Sequence, residues 1–573
     1  MIKRIKINFL LPVLMLALAT LPSCVRYYDP PPYFENNTDT VAPLKRKVLI
    51  IGIDGAVGAE YKTIQPTVLE GMKLHSKYTY DGFSDESTTD ASSWKTLMSG
   101  VPFAKHQISD SSLVYTQPQD GDEHGAIKNY PSFLNYILSS SKSDTRTTVI
   151  SSWSTLMSKL AAEAENKILG VDDAAVKDSA VAKLPTSNSD IVIVHFNGVA
   201  KAGKISGFSA TAQGYKDAVT TVDGYIGNIM TALKSRPGYG TKEEWLVIIL
   251  GTHGGTGTTY GGSTTQEVNT VAFYYNEKFK PTELVKPGYN GAQITGKGTS
   301  AVNATIPDDG GFYNLGSTGE QTISVKIKCS SKEANWPHFF SKQQKAFTGN
   351  GWTLYTNSAG NWNLAVSTKK IEPATSNVFD NNWHTLTFKF MDSASKRWVV
   401  RYTDGNRLEA TDLTGAGVAN SLSSTSPLTL GWGADPGYGG ITAYYADCMI
   451  FNKALTDAEV QDMVCAQDIT KHPKYGNLVG YWPCNEGYGK LFRNRAPGQV
   501  NKDIMLKGAY AWSTPSSFPC TAPVGDPAKA PIWAKSLDVA TTLMYWLKIP
   551  VQSTWKLDGS VWLNQYEMEF VKL

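Results

Sequence analysis

Residues 47–55, KVLIIGIDG, constrain this chain more than any other stretch. Four aliphatics in a row, Val48, Leu49, Ile50 and Ile51, precede Gly52, Ile53 and a lone carboxylate at Asp54. An unbroken apolar run has no wet face, so it reads as a strand buried on both sides, as in a parallel sheet between helices. Asp54 then falls at the strand's carboxyl end, where open α/β sheets gather ligands. The pattern fits equally well an aspartate that closes a core strand with a turn.

Further strand-like runs lie at Thr147–Ser151, Ile191–Phe196, 245–250 and 271–275. Between them Tyr215, Val219, Val222, Ile226, Ile229, Met230 and Leu233 recur at helical spacing on one face. Strands alternating with helices predict a parallel α/β sheet. Polar motifs follow the strands: STTDASSWKTLMSGVP at 87–102 and then His106, NGVAKAGK at 197–204, and GTHGG at 251–255 with Tyr260. Each stands where a strand end meets a common rim. The six glycines of 251–262 lack the Lys-Ser/Thr ending of a phosphate-binding loop and read as a flexible connection.

This order of motifs resembles the alkaline phosphatase superfamily, nearest its type I phosphodiesterase/nucleotide pyrophosphatase branch. IGIDG resembles the first metal-binding strand, WKTLMSGVPFAKHQI the helix after the nucleophile, and VIILGTHGG the Asp-His-Gly strand. The likeness covers about 45–280 and returns at SLDVATTLMYWLKIPV, which looks like the closing helix (538–547, with Asp538 as its N-cap) and strand. It implies an active centre of two zinc-type ions held by Asp and His around a Ser or Thr nucleophile.

The chain departs from that pattern. The nucleophile's place falls on Asp90; Thr88, Thr89 or Ser92 serves only if the register shifts. Asp54 and His253 keep their ligand types, with Asp90 a possible third, while Ala200, Lys204, Thr252 and Tyr260 stand where the other ligands belong. Zinc needs three or four protein ligands or water, so the remnant is a vestigial metal site. Lys204 at a ligand position suggests an ammonium neutralising Asp54 and Asp90; the alternative is drift after loss of activity.

After about residue 281 Gly, Ser, Thr and Asn rise, and alternating runs appear at 322–327, 383–390 and 398–403, the last leading into the hairpin signal Asp404-Gly405-Asn406. NNWHTLTFKF, ADCMIFNKALTDAEVQDM (with Thr456 and Glu459 as a capping box) and LVGYWPCNEGYGKLFRNRAPG resemble the laminin-G-like/concanavalin-A-like fold over roughly 305–515. That resemblance implies a sugar-binding sandwich. Trp336, Trp352, Trp362, Trp432 and Tyr438 are glycan-stacking candidates, each weighed against core packing, and Asp435 and Asp447 are candidates for calcium.

At the amino end, Lys3, Arg4 and Lys6 precede an apolar run at 9–19 and then Leu21-Pro22-Ser23-Cys24. The run is short for a membrane span and reads as a secretory signal. It resembles a Bacteroidetes-type lipoprotein signal, with lipid on Cys24 and Pro30-Pro31-Pro32 in an extended tether. Of the other cysteines, Cys329, Cys448, Cys465, Cys484 and Cys520, an exported chain is expected to pair some, but five cannot all pair. A net charge of +3 shows no nucleic-acid footprint.

The expected architecture is therefore α/β: a discontinuous alkaline-phosphatase-like parallel-sheet sandwich with an inserted all-β jelly roll. Its parts are a signal at 1–23, a tether at 24–46, α/β segments at 47–300 and 522–573, and a concanavalin-like β-sandwich at 305–515. The expected function is an inactive, lipid-anchored binding component at the outer membrane, on its surface or periplasmic face. Its partner is a glycan or a protein, within reach of an importer complex, with no resident cofactor beyond possible calcium. The rival expectation is a zinc-dependent phosphodiesterase, and a third is a purely structural component of an outer-membrane complex.

Overall fold

A computed structural model describes residues 44–114 and 130–571, apart from 307–308, 334–335, 344–347, 373–376, 416–417, 419–420, 433–438 and 500–501. The segment expected to be a lipoprotein signal, Cys24, the Pro30–Pro32 run of the expected tether, Asp435 and Tyr438 lie outside the described residues.

The first sheet contains β1 (Lys45–Asp54), β2 (Ser76–Phe83), β3 (Thr147–Ser151), β4 (Asn166–Leu169), β5 (Ile191–Phe196), β6 (Glu243–His253), β7 (Asn269–Tyr275) and β8 (Thr282–Glu283). Their spatial order is β4-β3-β5-β1-β6-β7-β2-β8. β4, β3, β5 and β1 run parallel. β7 runs antiparallel to both β6 and β2, so the sheet is mixed, with the expected parallel strands at β4, β3, β5 and β1. The helices used below are α1 (Asp90–Ser99), α2 (Asp173–Lys183), α3 (Gly198–Ser206), α4 (Gln213–Lys234), α5 (Asp457–Met463) and α6 (Asp538–Trp546).

β1 shows why its sequence has no polar face. Val48 and Ile50 pack with Trp94 and Leu97 of α1 and with Leu543 and Trp546 of α6. Leu49, Ile51 and Ile53 pack on the other side with Val176 of α2 and with Val219, Ile226 and Ile229 of α4. All five aliphatics are fully buried, and the helical face read from 215–233 is the buried face of α4. α6 starts at Asp538, so Asp538 is its first helical residue rather than its cap; Leu537 holds the cap position.

The sandwich is built from β9 (Gly291–Ala292), β10 (Ile294–Gly296), β11 (Asn303–Ile306), β12 (Gln321–Lys332), β13 (His338–Ser341), β14 (Trp352–Thr356), β15 (Trp362–Val366), β16 (Lys369–Ile371) and β17 (Trp383–Ser393). It continues through β18 (Lys396–Thr403), β19 (Asn406–Asp412), β20 (Leu428–Leu430), β21 (Ile441–Phe451), β22 (Leu478–Trp482), β23 (Leu491–Phe492), β24 (Ile504–Lys507) and β25 (Trp512–Ser513). One sheet runs β10-β21-β12-β17-β18-β19 with β22 on β21; the facing sheet runs β16-β15-β14-β13-β20-β11-β24-β23. The strand pairs in both are antiparallel, as in a jelly roll. Thr403 pairs with Asn406 across Asp404 and Gly405, both at positive φ, as a type I′ hairpin demands. Thr456 and Glu459 form the expected capping box on α5.

Two tryptophans proposed for sugar stacking prove to be core. Trp352 (3 % exposed) and Trp362 (0 %) alternate inward with Leu354 and Leu364, and Trp352 packs edge-on to Phe340 and Phe388. Cys465 and Cys520 form a disulfide, whereas Cys329, Cys448 and Cys484 are buried free thiols.

Candidate functional site

Asp54 ends β1 inside the protein, 2 % exposed. Its Oδ1 accepts from the Trp94 indole N–H (3.0 Å) and from the Thr252 hydroxyl (2.6 Å). Its Oδ2 lies 2.8 Å from Nε2 of His195. Gly52 makes this possible: a Cβ there would stand 2.6 Å from the Trp94 ring, so only glycine lets the indole lie against β1. Gly55, at φ +80°, is forced too, because a Cβ would meet Ala200 Cα of α3 at 2.6 Å.

His195 is the residue that sequence reasoning missed. It faces Gly52 across the β1–β5 ladder, and its Nδ1 lies 2.8 Å from Ser151 Oγ on β3. Burial alone would lower its pKa, but the charge and hydrogen bond of Asp54 outweigh this and raise it. Burial likewise works to raise the pKa of Asp54, yet His195, His253 and Thr252 bring it down to about 2. Nε2–H of His195 and Oδ2 of Asp54 thus form a buried hydrogen-bonded pair. A signal for it was present: a histidine interrupting IVIVHF on a strand with no wet face requires a buried partner.

His253, at the end of β6, is fully buried. Its Nδ1 donates to the Gly254 carbonyl at 2.7 Å and its Nε2 lies 3.1 Å from Asp90 Oδ1. With Nδ1–H committed to a carbonyl, an Nε2 aimed at a carboxylate carries the second proton. Its pKa is accordingly raised: burial opposes, and Asp90 and Asp54 prevail. Asp90 opens α1, where a carboxylate also benefits from the helix's amino end. Tyr260 stacks on the His253 ring at 4.2 Å, and burial together with Asp90 pushes its phenol up.

Lys204 stands apart from the expectation that it neutralises Asp54 and Asp90. It is exposed on α3, and its Nζ sits 4.2 Å above the Tyr260 ring. The buried His195 and His253 are instead the groups that face these carboxylates. Neither alternate nucleophile is free: Thr88 Oγ1 donates to the Gly262 carbonyl and accepts from Gly261 N–H, while Thr89 Oγ1 caps α1 and donates to the Ser109 carbonyl. Ser92 Oγ is buried without a partner. His106 lies in a separate buried pair with Thr96, where burial and Lys95 push it down to about 3.

The donor set does not fit two metal ions. Ala200, Lys204 and Tyr260 stand where one centre's three ligands belong, and at the other centre Thr252 is already donating to Asp54. Among the described residues, Asp54, Asp90 and His253 bring one donor atom each within 4.8 Å of one another, the most that this chain gives a single ion.

In the sandwich, Trp336 is the exposed tryptophan of the candidates, at 49 %, and Trp432 is half-buried. Asp447 is buried and accepts from Tyr481 and Thr521, so its carboxylate faces protein rather than an open loop.

A family model described as the concanavalin A-like lectin/glucanases superfamily matches residues 297–461. Those residues form a concanavalin-like domain. A second model, a domain of unknown function (DUF4983), matches 468–563, running from the end of the sandwich into the returning α/β segment. No curated protein matches the chain. Similar solved structures include a 2-O GAG sulfatase (12 % identity, 41 % of this chain, 65 % of that one, TM-score 0.32). A murine ectonucleotide pyrophosphatase/phosphodiesterase 5 follows (12 %, 37 % and 57 %, 0.29), as does a SAP-like pentraxin from Limulus polyphemus (13 %, 40 % and 96 %, 0.28). The chain thus spans less than two thirds of the first two proteins' length.

Proposed function

We propose that this protein is a carbohydrate-binding accessory of the bacterial envelope, tethered through lipid on Cys24, in which the phosphodiesterase-like centre no longer hydrolyses. The observation that carries the second part is the pairing of Asp54 with His195 and of Asp90 with His253. Each carboxylate that would face a metal ion already faces a histidine of the chain. Without ions, nothing generates an alkoxide or offsets charge on a phosphoryl or sulfuryl oxygen. The concanavalin-like domain supports the carbohydrate reading, with a glycan importer complex at the outer membrane as the setting.

The test is turnover and metal content together. Purified protein, with and without added zinc, is expected to leave nucleotide and bis-aryl phosphodiesters and aryl sulfates uncleaved, and Asp90→Thr is expected not to restore cleavage. Zinc-dependent hydrolysis abolished by Asp54→Ala would refute this reading.

The second reading, a one-ion hydrolase, draws on the convergence of Asp54, Asp90 and His253. Zinc bound at one per chain and lost in His253→Ala favours it.

A further inference from the structure

Two of the three free thiols touch. Cys448 on β21 pairs with Trp482 on β22 and faces the core. Its diagonal neighbours across that pair are positions 480 and 484. The Trp482 indole lies over the first, since a Cβ on Gly480 would stand 2.6 Å from the ring. The second is Cys484, whose Sγ lies 3.9 Å from the Cys448 Sγ. Both residues are fully buried. Cys484 stands just beyond the end of β22 with φ +57°, a backbone region that residues with a Cβ rarely occupy. In the thiol form only weak S–H contacts, to Cys448 and to the Trp482 carbonyl at 3.3 Å, stand against that cost.

No other cysteine competes for either sulfur. Cys465 and Cys520 are already joined. Cys329 sits on β12 opposite Ala443 of β21. That is five residues from Cys448 along the strand, or about 16 Å at about 3.3 Å per residue. The Cys465–Cys520 bond also fixes the setting, because a chain that holds a structural disulfide matures where thiols are oxidised. A disulfide needs its sulfurs about 2.05 Å apart, so from 3.9 Å each has about 1 Å to move.

We infer that Cys448 and Cys484 close a second disulfide in that setting, and that this bond anchors the segment through which the sandwich docks on the α/β unit. The inference rests on the sulfur geometry and the existing disulfide, not on the carbohydrate reading. The oxidant is the disulfide of a thiol oxidase or of a small thiol. One cysteine attacks it to give a mixed disulfide and releases one thiol; the other cysteine then attacks the mixed disulfide and releases the second. The S–S bond between Cys448 and Cys484 forms, both their protons leave, and the two electrons end on the two released thiols. Burial pushes the Cys484 thiol up in the folded chain, so the exchange belongs to folding, before β22 closes over β21. Once formed, the bond is sealed in the core and Cys329 is left as the single thiol. The docking segment follows directly: the Asn485 and Glu486 carbonyls accept from Lys286, and the Tyr488 hydroxyl reaches Ser263. A bond at Cys484 ties the root of that segment to β21.

A peptide map of the full chain, secreted into a bacterial periplasm and alkylated and digested without reductant, tests the bond. The expected result is a peptide pair joined through Cys448 and Cys484, with Cys329 alkylated. Alkylation of both Cys448 and Cys484, or a link from either to Cys329, overturns it. Melting curves separate a bond from packing. Cys448→Ala/Cys484→Ala is expected to melt about 5–10 °C below wild type without reductant. The gap is expected to shrink to about 2 °C once both proteins are unfolded and refolded in dithiothreitol. A gap of the same size in both conditions makes the sulfurs packing groups and overturns the bond. Hydrogen exchange across 485–489 is expected to quicken in the double variant while α4 stays unchanged; unaltered exchange there overturns the anchoring role.

Discussion

His195 Nε2 and Asp54 Oδ2 stand 2.8 Å apart with both side chains closed off from water. A pair this deep is held less by its own attraction than by the penalty for breaking it. His195→Ala leaves a buried carboxylate with two neutral donors and is expected to cost about 3–5 kcal/mol in denaturant unfolding. Ser151→Ala, which removes only a hydroxyl beside the imidazole, is expected to cost about 1 kcal/mol. The double variant His195→Ala/Asp54→Asn is expected to be less damaged than the sum of its singles. Additive losses would mean that the two residues do not form a charged pair.

Lys204 is predicted to matter little. Its ammonium is exposed above the Tyr260 ring rather than between carboxylates. Exposed cation–π contacts contribute about 0.5–1 kcal/mol, so Lys204→Ala should lose no more than that. A loss of several kcal/mol in the same unfolding experiment would return Lys204 to the centre.

The contrast between these two residues shows what the sequence could and could not disclose. The strands at Thr147–Ser151 and Ile191–Phe196 and the face of α4 are legible because continuous apolar runs and a 3.6-residue period leave one packing solution. Asp54, Asp90 and His253 are legible as a group because motifs at strand ends converge on one rim. Pairing within that group is not, since it depends on which strands are neighbours: β5 lies beside β1, and that adjacency brings His195 to Asp54. The direction of β7 escaped for the same reason, as a buried strand reads alike in either direction. Trp352 and Trp362 were ambiguous because an aromatic on a strand suits a core or a binding face equally, and only the facing sheet decides.

Asp538 is predicted to give the stability a pH dependence of unusual sign for a carboxyl. It is buried at the start of α6, and burial pushes its pKa up to about 6, although the backbone N–H groups of Ser560 and Lys535 oppose the shift. The folded state therefore keeps the proton after the unfolded chain, at its ordinary value, has released it. Stability is unaffected below about pH 4, falls by up to about 3 kcal/mol as the pH rises to about 6, and is level above that. Unfolding of wild type and Asp538→Asn across this range checks it. The variant is expected to lose this fall even though its amide can accept only one of the two N–H groups, and an unchanged slope would assign the titration elsewhere.

The inserted sandwich is predicted to be docked rather than freely separable. Just after β23, Arg493 donates to both the carbonyl and the hydroxyl of Ser263, and from the β22–β23 connection the Tyr488 hydroxyl reaches the same carbonyl at 3.3 Å. Ser263 follows Gly261 and Gly262, whose backbone is pinned by Thr88 next to Asp90, in the loop that lays Tyr260 over His253. Beside this, Phe83 packs against Tyr488 and Trp533, and Lys286 donates to the Asn485 and Glu486 carbonyls. Burial pushes the Lys286 ammonium down to about 8. Joining Asn303 to Ala522 without the intervening residues would strip Tyr488 from Phe83, Arg493 and Tyr488 from Ser263, and the Asn485 and Glu486 carbonyls from Lys286. The shortened chain is expected to keep its helical circular dichroism but to unfold at lower denaturant than the same α/β segments in the full protein. Arg493→Ala alone is expected to cost about 1.5–3 kcal/mol, the range for a hydrogen bond from a charged group. It should also speed amide hydrogen exchange across 254–264 while leaving α4 unchanged. If the shortened chain is as stable as the parent and exchange in that loop does not move, the sandwich is a passenger on the α/β unit and contributes nothing to the shape of the site.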